Sequence, residues 1–337
     1  MLKPLALRAA RPMRHLFERV GSRPGAEPVL EAYCGYATAD GAVLRGRVLT
    51  HLRAAEPDPG QSKWTNLRQM TSLFLTDEVA GVEVESAGIR AVSDAEGYIT
   101  LHVPLATLRT DAEVDTGGAW AGLPVRIAGR PDTEIAFPVR LPADGATHLV
   151  ISDIDDTMIE TGAHNLWRNM WTTFTGSAHT RGVHEDAVRL MRALTDGVRN
   201  PVFYVSSSPW NLHKFLDMLF ARNGVPRGPM FLRDLGLTRN GIGASHLSHK
   251  GAAIDAILAA NPDLPAWLMG DSGQHDAQVY LDAVRRHPGR IAGVALREPA
   301  PGAGTDDAAA MREIEATGVP CFHGASFDGT LRHWGQE

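Results

Sequence analysis

Leu149-Val150-Ile151-Ser152-Asp153-Ile154-Asp155-Asp156-Thr157 sets an apolar run directly before two carboxylates that stand two residues apart. The run, residues 147–152, has the length and β-branched content of a buried strand. Side chains of a strand alternate between faces, so Asp153 and Asp155 are expected to converge on one cation while Ile154 turns back into the fold. Hard oxygen donors of this kind select Mg²⁺ over Zn²⁺, and Asp153 would then be placed to attack an electrophile. The competing reading is an acidic turn after a buried strand, because Asp is a common turn residue. The surrounding chain decides between them.

From residue 144 onward strands alternate with helices: a strand at 147–152, a helix at 183–194, a strand at 202–205, helices at 212–223 and 250–260, and a strand at 267–269. Such alternation predicts a parallel sheet with helices on both faces, whose ligands lie beyond the carboxyl ends of the strands. Three strand ends carry polar residues: Asp153 and Asp155, then Ser206-Ser207-Ser208, then Gly270-Asp271-Ser272. Upstream, short alternating runs at 43–49, 81–86, 98–103, 124–127 and 135–141 are separated by turn signals such as Ala39-Asp40-Gly41 and Ala95-Glu96-Gly97. That pattern predicts an antiparallel β-sandwich, interrupted by one helix near 64–75. Pro142-Ala143-Asp144-Gly145 reads as a boundary. The expected organisation is a basic, helix-prone segment at 1–28, a β-sandwich-like domain at 29–143 and an α/β domain at 144–337.

A chain of 337 residues with 44% apolar content can bury two cores. The net charge of −6 argues against nucleic acid as a partner, since phosphate backbones require a basic face. Charge is uneven: within residues 1–30, Lys3, Arg8, Arg11, Arg14, Arg19 and Arg23 oppose Glu18 and Glu27, giving +4 and leaving −10 for the rest. Leu2, Leu5, Ala9, Met13, Leu16, Phe17 and Val20 recur near helical spacing between those arginines, a pattern for peripheral membrane contact that Pro4 and Pro12 interrupt. Cys34 and Cys321 stand in different halves, which suits a reducing cytoplasm better than a disulfide scaffold or a zinc site. No stretch reaches the length of a transmembrane segment, and the N-terminus lacks a signal-peptide core.

Phosphoryl transfer needs an in-line nucleophile, a cation joining it to the phosphate, and donors for the remaining charged oxygens. Asp153 and Asp155, Ser206, Lys250 at a helix start, and Asp271 with Asp276 supply those types in that order. The set resembles the four motifs of the haloacid dehalogenase phosphatase superfamily. The resemblance implies a Rossmannoid parallel sheet with a minimal cap, about 50 residues separating Thr157 from Ser206. It also implies roles. Asp153 would form an aspartyl phosphate, and Asp155 would protonate the leaving alkoxide and later activate water. Ser206, Ser207 and Lys250 would hold the phosphate. Asp153, the main chain at Asp155 and Asp271 would ligate Mg²⁺, supported by Asp276 and Thr157. Asp156 is then the least essential acid of the run, with its side chain expected to point away.

Rival motifs fail on particular residues. A calcium loop starting at Asp153 needs Gly at its sixth position and Glu at its twelfth, where Met158 and His164 stand. Gly270-Asp271-Ser272-Gly273 is shared with trypsin-like proteases, but Gln274 follows and the segment belongs to a parallel-sheet pattern. His246 and His249 lack a third zinc ligand.

Val202-Phe-Tyr-Val-Ser-Ser-Ser-Pro-Trp-Asn-Leu212, Gly228-Pro-Met-Phe-Leu-Arg-Asp234, Lys250-Gly251 and Gly270-Asp-Ser-Gly273 add a closer likeness. Residues 147–297 resemble the catalytic domain of the actin-patch-associated phosphatidate phosphatases, relatives of the lipins. Tyr33-Cys34-Gly35-Tyr36 and Gly46-Arg47-Val48-Leu49 are similar to the stretch preceding that domain in bacterial members. The resemblance implies Mg²⁺-dependent conversion of phosphatidate to diacylglycerol; it departs at Ser207, where Asn is frequent. Trp167, Met170, Trp171 and Phe174 would form one apolar helix face, serving as a lid, a membrane-facing wedge or a core stripe. Arg233 would pair with phosphate or with a neighbouring acid. Two alternatives stay open: the same chemistry on soluble phosphomonoesters or phosphoproteins, and a non-catalytic lipid-phosphate-binding module. Loss of the nucleophile would mark the latter, yet Asp153 is present.

Overall fold

In the computed structural model, which describes residues 27–50, 78–107, 113–115, 118–159, 182–233, 246–298 and 302–335, alternating sequence builds a first sheet. Its strands are β1 (Val29–Thr38), β2 (Gly41–Leu49), β3 (Glu83–Ser86), β4 (Ile89–Val92), β5 (Tyr98–Pro104), β6 (Glu113–Val114), β7 (Trp120–Ile127) and β8 (Arg130–Arg140). Their order is β4-β3-β7-β8-β1-β2-β5, with β6 added to β7. Period-two burial is plainest in β7, where Ala121, Leu123, Val125 and Ile127 are buried and the residues between them are half-exposed. All pairs are antiparallel except β1 with β8, which run parallel. The two ends of the path, β4 and β5, meet through the turn at Asp94–Gly97, so one sheet curls around Leu44, Val84, Leu101, Leu123 and Phe137. That enclosure gives the sandwich-like inner face expected from the alternation.

Beyond the link at residues 141–148 the chain forms β9 (Leu149–Asp153), α1 (Glu185–Thr195), β10 (Val202–Pro209), a 3₁₀ turn at Trp210–Leu212, α2 (His213–Asn223) and β11 (Met230–Arg233). It continues through α3 (His246–Ala260), β12 (Ala266–Asp271), α4 (Asp276–Arg286), β13 (Ile291–Arg297), α5 (Thr305–Ala316), β14 (Cys321–Gly324) and α6 (Thr330–His333). The second sheet is wholly parallel, in the order β11-β10-β9-β12-β13-β14. All five residues of β9 are buried, as a central strand covered on both faces requires. Val150 and Ile154 join the core with α1 and α2, whereas Leu149 and Ile151 face the core with α3, α4 and α5. From β9 the chain winds outward to β10 and β11 and then returns to β12, so the switch point lies between β9 and β12.

Two expectations shift. β10 runs four residues past Val205, so Ser206, Ser207 and Ser208 belong to the strand. β1 carries Tyr33 and Tyr36 into the parallel domain. Tyr33 stacks on Trp210 and on His213, with centroids 5.6 and 4.0 Å apart, and Tyr36 packs on Phe203 and Phe231. Gly35 lies where β1 changes register against β2; a Cβ there would fall 2.3 Å from the Val43 carbonyl oxygen. The expected helices near 64–75 and around Trp167, and nearly all of segment 1–28, lie outside the described residues. Among the described residues, no helix is long and apolar enough to cross a membrane.

Candidate active site

β9 ends on Asp153, whose carboxylate is 1% exposed. Thr157 donates to its Oδ2 at 3.2 Å, and the ammonium of Lys250 lies 2.7 Å from its Oδ1. Lys250 also pairs with Asp276 Oδ1. Asp276 opens α4 just past β12, and its Oδ2 accepts the main-chain N–H of Asp271 at 3.2 Å. Asp153, Asp271 and Asp276 each place a carboxylate oxygen within 4.8 Å of the others. The carboxyl ends of β9 and β12, with the first turn of α4, therefore build one acidic cluster at the switch point.

Asp155 stands apart from that cluster. Its carboxylate turns toward β10: Ser206 donates to Oδ2 at 2.6 Å, and Ser208 reaches Oδ2 at 3.1 Å and Oδ1 at 3.3 Å. The expected convergence of two side chains on one cation is thus divided, with Asp153 at the cluster and Asp155 held by hydroxyls. Its carbonyl oxygen faces Gln274, whose Nε2 lies 3.2 Å away. Ile154 is buried in the core, as alternation requires.

Asp156 departs from expectation. It adopts φ +59, a left-handed conformation that Asp tolerates better than most residues, and its Oδ2 accepts a hydrogen bond from Gln274 at 3.2 Å. Its side chain is therefore tied to the β12–α4 loop. Ser207 sits between Ser206 and Ser208 on a strand, and alternation turns it away from the side they share. Arg233 ends β11 in register with Pro209 and is half-buried.

Three participants went unread in the sequence. Ser208 follows from alternation once β10 is known to continue. Gln274 links the β9 and β12 loops. Gly270 has no room for a side chain, because a Cβ would meet Asp276 Oδ2 at 2.6 Å and the Tyr280 hydroxyl at 2.7 Å. Tyr280 in turn donates to the Met269 carbonyl at 2.6 Å.

The electrostatics share one cause. Four buried carboxylates face a single buried ammonium. Burial, opposed by the charge of Lys250, pushes Asp153 well above the usual carboxylate range. Burial followed by the Asp276 charge lifts Asp271 to about 7. Burial also raises Asp155 against the hydroxyl bonds from Ser206 and Ser208. For Lys250 burial acts downward, but Asp153 and Asp276 outweigh it and hold the ammonium charged. Protons are retained where negative charge is in excess. Asp271 Oδ2 accepts the Gly273 N–H at 2.7 Å, whereas its Oδ1 is buried without a partner. An orphaned carboxylate oxygen, three converging carboxylates and surplus negative charge form a donor set compatible with a metal ion.

Residues 148–298 match the family model described as "Phosphatidate phosphatase APP1, catalytic domain". The chain is 31% identical over 149 residues to Phosphatidate phosphatase APP1 of Saccharomyces cerevisiae, covering 44% of this chain and 25% of that protein. An uncharacterized protein of Schizosaccharomyces pombe is 30% identical over 152 residues, again 44% of this chain and 25% of the other. The chain thus spans about a quarter of the length of these curated relatives. The matched segment runs from the residue before β9 through β13 and holds every residue of the acidic cluster, so it is the cluster-bearing part of this chain that is similar to the APP1 phosphatidate phosphatase catalytic domain.

Proposed function

We propose that the parallel domain is a Mg²⁺-dependent phosphatase that works through an aspartyl phosphate and hydrolyses phosphatidate, or a related lipid phosphate, to diacylglycerol and phosphate. The observation that carries this reading is the placement of Asp153, a buried carboxylate at the end of the central strand, gripped by Thr157 and Lys250 and grouped with Asp271 and Asp276. The family match and the name of the budding-yeast relative support the substrate class.

Mg²⁺, held by Asp153, Asp271 and the main chain at Asp155, would supply positive charge against the phosphate oxygens. The chain's own groups do the rest. One oxygen of Asp153 attacks phosphorus, the bond to the alcohol oxygen breaks, and Asp155 gives its proton to the departing alkoxide. Asp155 then takes a proton from water, whose oxygen attacks the same phosphorus and releases inorganic phosphate while restoring Asp153. Ser206 and Lys250 turn their donors to phosphate oxygens, exchanging carboxylate partners for the substrate, whereas Ser207, turned to the other face of β10, takes no such part. Asp276 fixes the main chain at Asp271, and Arg233, at the end of β11, meets a further acidic group. The basic segment 1–28 would bring a cytoplasmic protein to the acidic surface where such lipids reside.

The test compares phosphate release from vesicle-borne phosphatidate and from soluble phosphomonoesters, with Mg²⁺ or chelator, for wild type and Asp153→Asn. Chelator and the substitution should each abolish turnover of phosphatidate. Turnover indifferent to both would refute the mechanism, and a preference for soluble esters would overturn the lipid assignment.

A further inference from the structure

Between the two sheets lies a cavity of about 260 Å³ that the proposed chemistry does not use. Arg45 and Tyr98 of the curled sheet border it on one side, and Trp210, Phe231 and His249 of the parallel domain on the other. Arg45 projects from β2 directly opposite Thr100 of β5. Its guanidinium lies 4.4 Å from the Phe231 ring centroid, 5.3 Å from that of Tyr36 and 5.7 Å from that of Trp210.

What Arg45 lacks is a counter-ion. Its hydrogen bond runs to the Met230 carbonyl at 3.5 Å, the far limit for such a contact, and no carboxylate pairs with it among the described residues. Arg45 is half-buried, and two fully buried arginines, Arg47 and Arg297, do find a carboxylate. Arg47, two residues along β2, meets Glu78 at 2.6 Å and the Glu96 carbonyl at 2.9 Å; Arg297 meets Asp186 at 2.6 Å. A guanidinium does not shed its proton, so partly burying one without an anion is unfavourable, and ring faces return only part of that cost. Asp94 also borders the cavity, but its Oδ1 is taken by the N–H groups of Glu96 and Tyr98, each at 2.9 Å.

A second polar group adjoins the same space. His249 immediately precedes Lys250, and its Nε2 is buried with no hydrogen-bond partner among the described residues. Burial holds its imidazole below the ordinary value, against hydrogen bonds to the main chain at Phe231 and Ser206, so the ring is neutral and its one N–H is already engaged. The cavity thus offers a charged planar donor between aromatic walls, a set that matches an oxyanion better than an apolar group.

We infer that this cavity is a binding site for an oxyanion, a phosphate or carboxylate on a small molecule or a lipid headgroup, held by Arg45 against Trp210 and Phe231. The site is separate from Asp153 and needs no turnover to be observed.

The test uses the full chain with chelator present, so that hydrolysis plays no part. Calorimetric titration with inorganic phosphate forms one arm, and co-sedimentation with phosphatidylcholine vesicles containing or lacking phosphatidate forms the other. Saturable binding in either arm should weaken at least tenfold in Arg45→Met. It should weaken equally in Thr100→Glu, whose exposed position supplies an internal carboxylate without removing a core group. Loss in the phosphate arm assigns a free anion, and loss confined to phosphatidate vesicles assigns a headgroup. Binding unchanged by both substitutions, or absent from wild type in both arms, overturns the proposal. Circular dichroism of each variant shows that a loss is not misfolding.

Discussion

Ser206 donates its hydroxyl proton to Asp155 Oδ2 at 2.6 Å, fastening the acid that follows β9 to the neighbouring strand β10. The register makes this contact possible: Val205 lies opposite Asp153, so Ser206 is the first residue of β10 beyond the level of Asp153. The same hydroxyl oxygen accepts the Ser208 N–H at 2.8 Å, which fixes its orientation. Ser206→Ala should therefore let the Asp155 carboxylate swing, lowering kcat for phosphate release roughly tenfold to a hundredfold. Ser208→Ala, which removes longer bonds of 3.1 and 3.3 Å, should cost less. Equal kcat for wild type and Ser206→Ala would refute a positioning role.

Lys250 neutralises two buried carboxylates at once, 2.7 Å from Asp153 and closer still to Asp276. Lys250→Met leaves both uncompensated, and removing one partner of a buried pair costs about 3–5 kcal/mol. The variant should melt well below wild type in chelator and recover more than wild type when Mg²⁺ is added, because the cation then replaces the missing charge. Thermal melts of the two proteins with and without Mg²⁺ measure this. A Lys250→Met melt that matches wild type in chelator refutes the charge balance drawn here.

Much of this site was legible because its acids stand where apolar runs stop. Asp153 and Asp271 end strands, and Lys250 lies in the first turns of a helix, so the local pattern located them. Ser208 escaped because Ser-Ser-Ser-Pro has low strand propensity, while β10 is sustained there by its neighbours in the sheet. The Gln274 contact of Asp156 is not legible in the sequence, because its positive φ goes with the loop in which Asp156 N–H bonds the Ile159 carbonyl, a feature with no periodic signature. β1 was unread for another reason. Its residues Glu31, Tyr33, Gly35 and Tyr36 follow no single alternation, since they serve two surfaces, the curled sheet and the parallel domain.

Gly270 concerns the site although it carries no chemistry. In Gly270→Ala the new methyl would stand 2.6 Å from Asp276 Oδ2, which must then release the Asp271 N–H or shift from Lys250. Tyr280 cannot yield readily, since its hydroxyl is bonded to Met269. The Mg²⁺ concentration for half-maximal activity should rise about tenfold or more, as expected when the groups orienting a ligand are disturbed. An unchanged Mg²⁺ dependence, with the variant folded, would show that Asp276 does not position Asp271.

The contact between the two domains should respond to acid through His213. Its ring stacks 4.0 Å from Tyr33 of β1, and burial, reinforced by Lys214 and Arg227, lowers its pKa from 6.5 to about 3. The folded state keeps this histidine neutral, while the unfolded chain takes up a proton below its ordinary value. Between those two values the unfolded state binds more protons, so the contribution is complete above pH 6.5 and is lost progressively as pH falls toward 3. At pH 5 the loss amounts to about 2 kcal/mol. Glu31, Asp153, Asp155 and Asp271, which burial raises, act with the opposite sign, so a bare pH profile mixes them with His213. His213→Phe separates them, because it keeps an aromatic ring against Tyr33 and removes the titration while leaving those carboxylates in place. Urea unfolding at pH 7.5 and pH 5 should show wild type losing about 2 kcal/mol more than His213→Phe. Identical losses in the two proteins would mean that His213 charges as freely in the fold as in water.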